Sequence, residues 1–192
     1  MNKKRLLVLS SPSGGGKSTI AKELMNTYSN LRFSVSATTR KPRAGEQNGV
    51  QYYFLGKEEF ETKINKNQFV EYEEIFGNYY GTLKSEIDKA FFDSECLIFD
   101  VDVKGAMSVK QNYPEDALLL FIIPPDIDTL EKRLRSRSTE TEEQIRLRLS
   151  RAELELAYQD KFDHIIVNDE LDKAIKETVE FIGEKMEVRI DE

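Results

Sequence analysis

The stretch LLVLSSPSGGGKSTIAKEL, residues 6–24, decides how the rest of the chain is read. RLLVLS (5–10) has the continuous apolar character of a strand covered on both faces. Ser11, Pro12, Ser13 and the glycines at 14, 15 and 16 then break the run. Beyond them Ile20, Leu24, Met25 and Tyr28 fall on one face of a helix. Strand, glycine-rich loop and helix, in that order, form the frame of a phosphate-binding loop. The strict pattern G-x-x-x-x-G-K-[ST] starts at residue 11, where this chain has Ser; Gly16, Lys17 and Ser18 keep the remaining spacing. Holding phosphate explains the residue types. Gly14, Gly15 and Gly16 admit positive φ and bring successive N–H groups close to phosphate oxygens. The helix N-terminus adds partial positive charge. Lys17 can neutralise terminal phosphate oxygens, and Ser18 can offer a hydroxyl to Mg²⁺.

Working outward, 192 residues allow one domain with a full core and small inserted parts. An apolar share of 39% beside 33% charged residues is ordinary for an α/β protein and too apolar for a disordered one. The longest apolar runs, such as ALLLFII (117–123), are too short to span a bilayer. MNKKRLLVLS imitates a secretion signal, but its apolar part is too short for one and reads as the first buried strand. A net charge of −7 argues against non-specific contact with nucleic acid or anionic membrane, while leaving room for a local basic pocket. Cys96 is the sole cysteine, which excludes an internal disulfide; within ECLIFDV it reads as a core residue. His164 is also alone, so a histidine metal site is not expected, and it is placed at a strand edge. The expected compartment is the cytoplasm.

Strand and helix patterns alternate at both ends of the chain. CLIFDV (96–101), LLLFII (118–123) and HIIVN (164–168) read as buried strands. Helical faces follow at Ile127, Leu130 and Leu134, at Ile145, Leu149, Ala152 and Leu156, and at Ile175, Val179, Ile182 and Met186. This alternation predicts a parallel sheet flanked by helices. The region from about 33 to 82 differs: FSVSATT, GVQYYFL and QFVEYEEI are rich in β-formers, with turn chemistry in KPRAGEQNG and FGNYYG. It reads as a small, mostly β insertion, after which a helix with Leu83, Ile87 and Phe91 returns to the core.

Arg40 and Arg43 flank Pro42 in that insertion. Proline favours an extended or turning loop, and each guanidinium is a planar fork suited to phosphate. Tyr52 can add a hydroxyl. Beside a phosphate loop, they point to a second phosphorylated substrate.

The pattern SxSxTTRxPRxGExxGxxYxF (34–54), followed by EYEEIFGNYYGT (71–82), DVDVKGA (100–106), RSRSTETEEQIRLRL (135–149) and VNDEL (167–171), resembles the guanylate kinase family. The resemblance runs from about residue 5 to 183, in the family's order and spacing. It implies a P-loop kinase core over 1–32, 83–132 and 152–192, a GMP-binding insertion over 33–82 and a helical lid over 133–151. It implies ATP and GMP as small-molecule partners, with Mg²⁺, and neither nucleic acid nor membrane; the sequence carries no signal for oligomeric state. Residues 11–19, from Ser11 to Thr19, hold the ATP phosphates in that picture, with Arg133 on the ATP side and Asn168 bordering the adenine. Ser36, Glu71 and Thr82 read the guanine edge; Arg40, Arg43, Tyr52 and Tyr80 hold the GMP phosphate; Asp102 contacts the same site. Lys17, Arg40, Arg137 and Arg148 act in catalysis, and Ser18 and Asp100 serve Mg²⁺ through water. Arg135, Arg146 and Arg151 are read as solvated helix charges. The chain departs from the family pattern at Ser11, where a smaller residue is common, and at Ser138, where many members have Gly.

Three other readings share parts of this pattern. A kinase-like scaffold module that binds phosphorylated peptides does not need Lys17, Ser18, Asp100 and the arginine set together. A kinase for another nucleoside monophosphate does not need the Ser36, Glu71 and Thr82 set. A P-loop switch or hydrolase leaves Arg40, Arg43 and Tyr52 without a role.

Overall fold

Every residue of β1 (Leu6–Ser10) is buried. Leu7 and Leu9 enter one apolar cluster and Leu6 and Val8 the other, so an unbroken apolar run is what a central strand covered on both faces requires. Each fully buried Leu or Val contributes about 1.5–3 kcal/mol relative to exposure. The structure, a computed structural model, describes residues 3–136 and 141–190. After β1 the chain forms α1 (Lys17–Thr27) and β2 (Leu31–Phe33). It then builds β3 (Ala37–Thr38), β4 (Tyr53–Phe54), α2 (Lys57–Asn65), β5 (Phe69–Ile75) and β6 (Asn78–Leu83). α3 (Lys84–Phe92), β7 (Cys96–Asp100), α4 (Val103–Asn112) and β8 (Ala117–Ile123) follow. α5 (Ile127–Ser136), α6 (Glu142–Leu156), β9 (His164–Val167) and α7 (Leu171–Lys185) complete the described order.

The main sheet has the order β2-β7-β1-β8-β9, with each neighbouring pair parallel. α1 and α7 cover one face through Ile20, Leu24, Ala174 and Ile182. α3 and α4 cover the other through Ile87, Ala90, Ala106 and Val109. From β1 the chain turns toward β2, and from β8 it turns toward β9. The carboxyl ends of β1 and β8 therefore flank a topological switch point, where open α/β sheets bind ligands. Cys96 is fully buried, and burial pushes its thiol up to about 11. His164 opens β9, stacked on Phe181 at 4.0 Å.

A second sheet has the order β4-β3-β6-β5. Its own cluster holds Ala37, Phe60, Phe69 and Leu83. Two details differ from the sequence reading. The insertion contains a nine-residue helix, α2, whose Phe60 and Ile64 meet that cluster. The turn-rich, β-forming surroundings mask this short i, i+4 signal. Leu83 ends β6 and packs in the second cluster, so the returning helix starts at Lys84. No helix among the described residues is long and apolar enough to cross a membrane.

Candidate active site

The loop after β1 wraps into α1 with Gly14 at φ 99° and Gly16 at φ 95°, both left-handed. Gly15 does not take positive φ, contrary to the expectation for all three glycines; its constraint is space. A Cβ there would lie 2.0 Å from Ser11 Oγ and 3.1 and 3.2 Å from the carbonyls of Pro12 and Ile122. Gly16 caps α1 with no side chain accepting from the first turn, and that turn carries no acidic residue. Its N–H groups are left for an anion.

Lys17, the first residue of α1, places Nζ 2.5 Å from Asp100 Oδ1 and donates to the Val101 carbonyl at 3.3 Å. Asp100 ends β7, the strand beside β1, which is how the sheet brings loop and acid together. Asp102 caps α4: its Oδ1 accepts from Gly105 N at 2.8 Å, while its Oδ2 lies 3.7 Å from Arg151.

Across a cleft of about 940 Å³ the second sheet presents Ser36, Tyr52, Glu71, Glu73 and Tyr80 toward residues 11–19 of the loop. The register of β5 and β6 shifts between Phe69 and Glu71, and this irregularity sets Glu71 directly opposite Thr82. Thr82 Oγ1 donates to Glu71 Oε1 at 2.7 Å. Burial holds the Glu71 carboxyl above the ordinary carboxylate range, with the Thr82 bond pulling the other way. Thr82 itself stays behind the carboxylate, buried.

Arg40 and Arg43 are not in the cleft wall. Glu46 holds Arg40 through two bonds, at 2.8 and 3.0 Å, and accepts from the Arg43 N–H at 2.6 Å. This pairing lowers the Glu46 pKa, through Arg40 first. The Arg40 guanidinium sits 5.4 Å from the Tyr52 ring, just behind the wall.

Arg148 of α6 lines the cleft and donates to Ser13 Oγ at 2.5 Å, joining the helix to the loop. Thr141 and Gln144 form a capping box that fixes the start of α6. Arg133 donates to the Asp169 carbonyl at 3.1 Å, outside the wall. Arg137 and Ser138 lie outside the described residues. Arg135 pairs with Glu131 and Glu142 on the surface, as a solvated charge.

Asn168, expected to border the adenine, meets the phosphate loop. It is 4% exposed and its Nδ2 donates to the Gly15 carbonyl at 2.7 Å, so it buttresses the loop from behind. Arg151, read as a solvated charge, is 64% exposed and also lines the wall, 3.7 Å from Asp102. Its spacing of three from Arg148 puts both on one helix face and was the available signal. Glu73 and Lys104 also line the cleft. Glu73 shares a strand face with Glu71, and burial raises its carboxyl too.

The metal-binding capacity is modest. Among the described residues no three His, Cys, Asp or Glu side chains gather to hold an ion. Asp100 and Ser18 offer one carboxylate and one hydroxyl, hard oxygen donors that suit Mg²⁺ carrying its own waters and phosphate oxygens.

A phosphate loop at the switch point of a parallel sheet, facing a second sheet with a largely buried carboxylate across one cleft, defines the P-loop nucleotide kinases. The family model described as Guanylate kinase matches residues 3–185. The chain is 49% identical over 175 residues to the guanylate kinase of Chlorobium luteolum, covering 91% of this chain and 89% of that one. It is 45% identical over 176 residues to that of Rickettsia bellii, with 92% of each chain covered. Among solved structures, the guanylate kinase from Anaplasma phagocytophilum has a TM-score of 0.71 at 30% identity, covering 96% of this chain and 88% of that one. The chain belongs to the guanylate kinase family.

Proposed function

We infer that the protein transfers the γ-phosphoryl group of ATP to GMP, giving ADP and GDP. The observation that carries this reading is the opposition of the phosphate loop and the Glu71–Thr82 pair across one cleft. A carboxylate can accept from guanine N1–H and the 2-amino group together, and adenine offers no such donor pair, so the buried acceptor is left unpaired against AMP.

The transfer needs no covalent intermediate. An oxygen of the GMP phosphate attacks the γ-phosphorus in line while ADP leaves, and the protein positions both nucleotides and neutralises charge. The first-turn N–H groups of α1 and Lys17 bind the triphosphate, and Arg148 and Arg137 add charge from the lid side. Tyr52 and Tyr80 orient the acceptor phosphate, with Arg40 and Arg43 turning from Glu46 to reach it; dGMP fits the same contacts. Ser36 and Glu71 read the base, Thr82 holds Glu71 in place, and Asp102 and Arg133 support the two sites. Ser18, and Asp100 through water, would hold Mg²⁺, which would supply charge neutralisation for the transferred phosphate. Residues 33–82 form the GMP-binding part and 133–151 the lid, on a core made of the remainder. Closing them over the cleft excludes the water that otherwise hydrolyses ATP.

The test is coupled ADP production from ATP and Mg²⁺ with GMP, AMP, UMP or no acceptor. GMP-dependent turnover supports the reading, whereas equal ADP release without acceptor makes the protein an ATPase.

A further inference from the structure

Glu86 sits where the two sheets meet. It lies in the first turn of α3, and its neighbours Ile87 and Ala90 pack with Leu97 and Phe99 of the main sheet. Its backbone therefore moves with the parallel-sheet body. The side chain is 2% exposed, and a carboxylate taken out of water needs partners. Three separate elements supply them. Arg32 Nη1, on β2, donates to Oε1 at 2.6 Å. The N–H of Val35, in the segment that leaves β2 for the second sheet, donates to the same oxygen at 3.3 Å. The Tyr53 hydroxyl, on β4, donates to Oε2 at 3.0 Å. Arg32 is held in turn by Glu95 through its Nε. The Tyr53 ring packs against the second sheet's own cluster. One carboxylate thus ties the body, the connector and the second sheet.

The connector is also where hydrogen bonding is incomplete. Of the three buried side-chain polar atoms without a partner among the described residues, Arg32 Nη2 and Ser34 Oγ lie here. Water commonly meets buried polar atoms that lack a protein partner, and here they mark a polar joint between the sheets. The joint lies next to the site. Ser36 and Tyr52 line the cleft, one residue beyond Val35 and one before Tyr53, and the Tyr53 N–H donates to the Ser36 carbonyl at 2.9 Å.

We propose that Glu86 is a positioning residue for the nucleoside monophosphate: by joining Arg32, Val35 and Tyr53 it sets how the second sheet presents Ser36 and Tyr52 to the cleft. This rests on the reading of the second sheet as the GMP side. Glu86 touches no reacting atom, so its effect falls on acceptor binding and leaves the ATP side alone.

The experiment uses the full chain, with Tyr53→Phe, Glu86→Gln and the double variant, measuring initial rates against GMP and against ATP together with thermal melts. Tyr53→Phe keeps the packed ring and deletes the arm between the sheets. It is expected to raise the GMP KM about three- to tenfold, up to about 1.4 kcal/mol, with the ATP KM within about twofold and Tm little changed. Glu86→Gln is expected to raise it further, and the double variant to add little to Glu86→Gln, because both act through one network. A GMP KM unmoved by Tyr53→Phe overturns the proposal, and so does a parallel rise in both KM values. If Glu86→Gln fails to fold, Tyr53→Phe decides alone. Absence of GMP-dependent turnover in the unsubstituted chain overturns the GMP reading itself, and is seen before any variant is made.

Discussion

Lys17 Nζ and Asp100 Oδ1 stand 2.5 Å apart where the first turn of α1 meets the end of β7. The pair is partly exposed, and ion pairs of that kind contribute little to stability. Its value is placement: the ammonium is held in the wall of the cleft that the loop also lines. Lys17→Ala is expected to lower GMP-dependent ADP production by about 10²–10³-fold, as loss of a transition-state charge contact does. Tm should stay within about 2–4 °C. Turnover near that of the unsubstituted chain in a folded Lys17→Ala protein refutes the role.

Glu71 gives a pH prediction with a definite sign. Burial raises its carboxyl above the ordinary value of 4.5. An acid whose pKa is higher folded than unfolded contributes stability that is fully present below the unfolded value and is lost as pH rises through the folded one. Glu71→Gln removes that loss, so its Tm should gain on the unsubstituted chain at pH 8 relative to pH 4. The ionised carboxylate is the form that accepts from guanine. The GMP KM should therefore fall as pH rises through the raised pKa, and this dependence should vanish in Glu71→Gln. Glu71→Ala should raise the GMP KM about a hundredfold and relax the choice against AMP. Unchanged selectivity counts against the base-reading role.

Asn168 separates two readings of one residue. As a buttress it holds the Gly15 carbonyl at 2.7 Å, buried behind the loop. Asn168→Ala leaves that carbonyl without its partner, which costs about 1–3 kcal/mol. The expected result is a lower Tm and a KM increase shared by ATP and GTP as phosphoryl donors. An adenine contact predicts instead a rise for ATP alone, with Tm preserved.

Phe76 occupies an unusual backbone position. It is 99% exposed with φ 49°, and Gly77 follows at φ 77°, the two-residue turn between Ile75 and Asn78. Positive φ at both central residues is the type I′ hairpin signature, which favours Asn-Gly. A bulky side chain in this region carries about 1–2 kcal/mol of strain. Phe76→Asn is expected to raise Tm by about 2–4 °C in a melt at neutral pH. A lower Tm shows that the ring makes a contact worth more than the strain.

Much of the architecture was legible because its signals are local. The run at residues 5–10 carries its own evidence of a strand covered on both faces, and Gly16, Lys17 and Ser18 carry the loop's spacing. Cys96 reads as core from its apolar neighbours alone, and it is fully buried. The short helix α2 is not legible in the sequence, because two apolar positions within nine residues cannot outweigh β-rich, turn-rich flanks.

The sequence by itself determined the strand–loop–helix that binds phosphate, the alternation that builds the parallel sheet, and the family. Only the tertiary structure decided which side chains share a space. Ser11 Oγ leaves no room for a Cβ at residue 15, a restriction that glycine content alone attributes to φ. Arg151 lines the cleft beside Asp102, and Arg40 is held by Glu46 just behind the cleft wall. Asn168 reaches the loop from 153 residues away, and Glu86 gathers partners 54, 51 and 33 positions distant. Periodicity and turn chemistry act within a few residues of the chain, whereas a buried polar group is satisfied by whatever the packed elements bring within 3 Å of it.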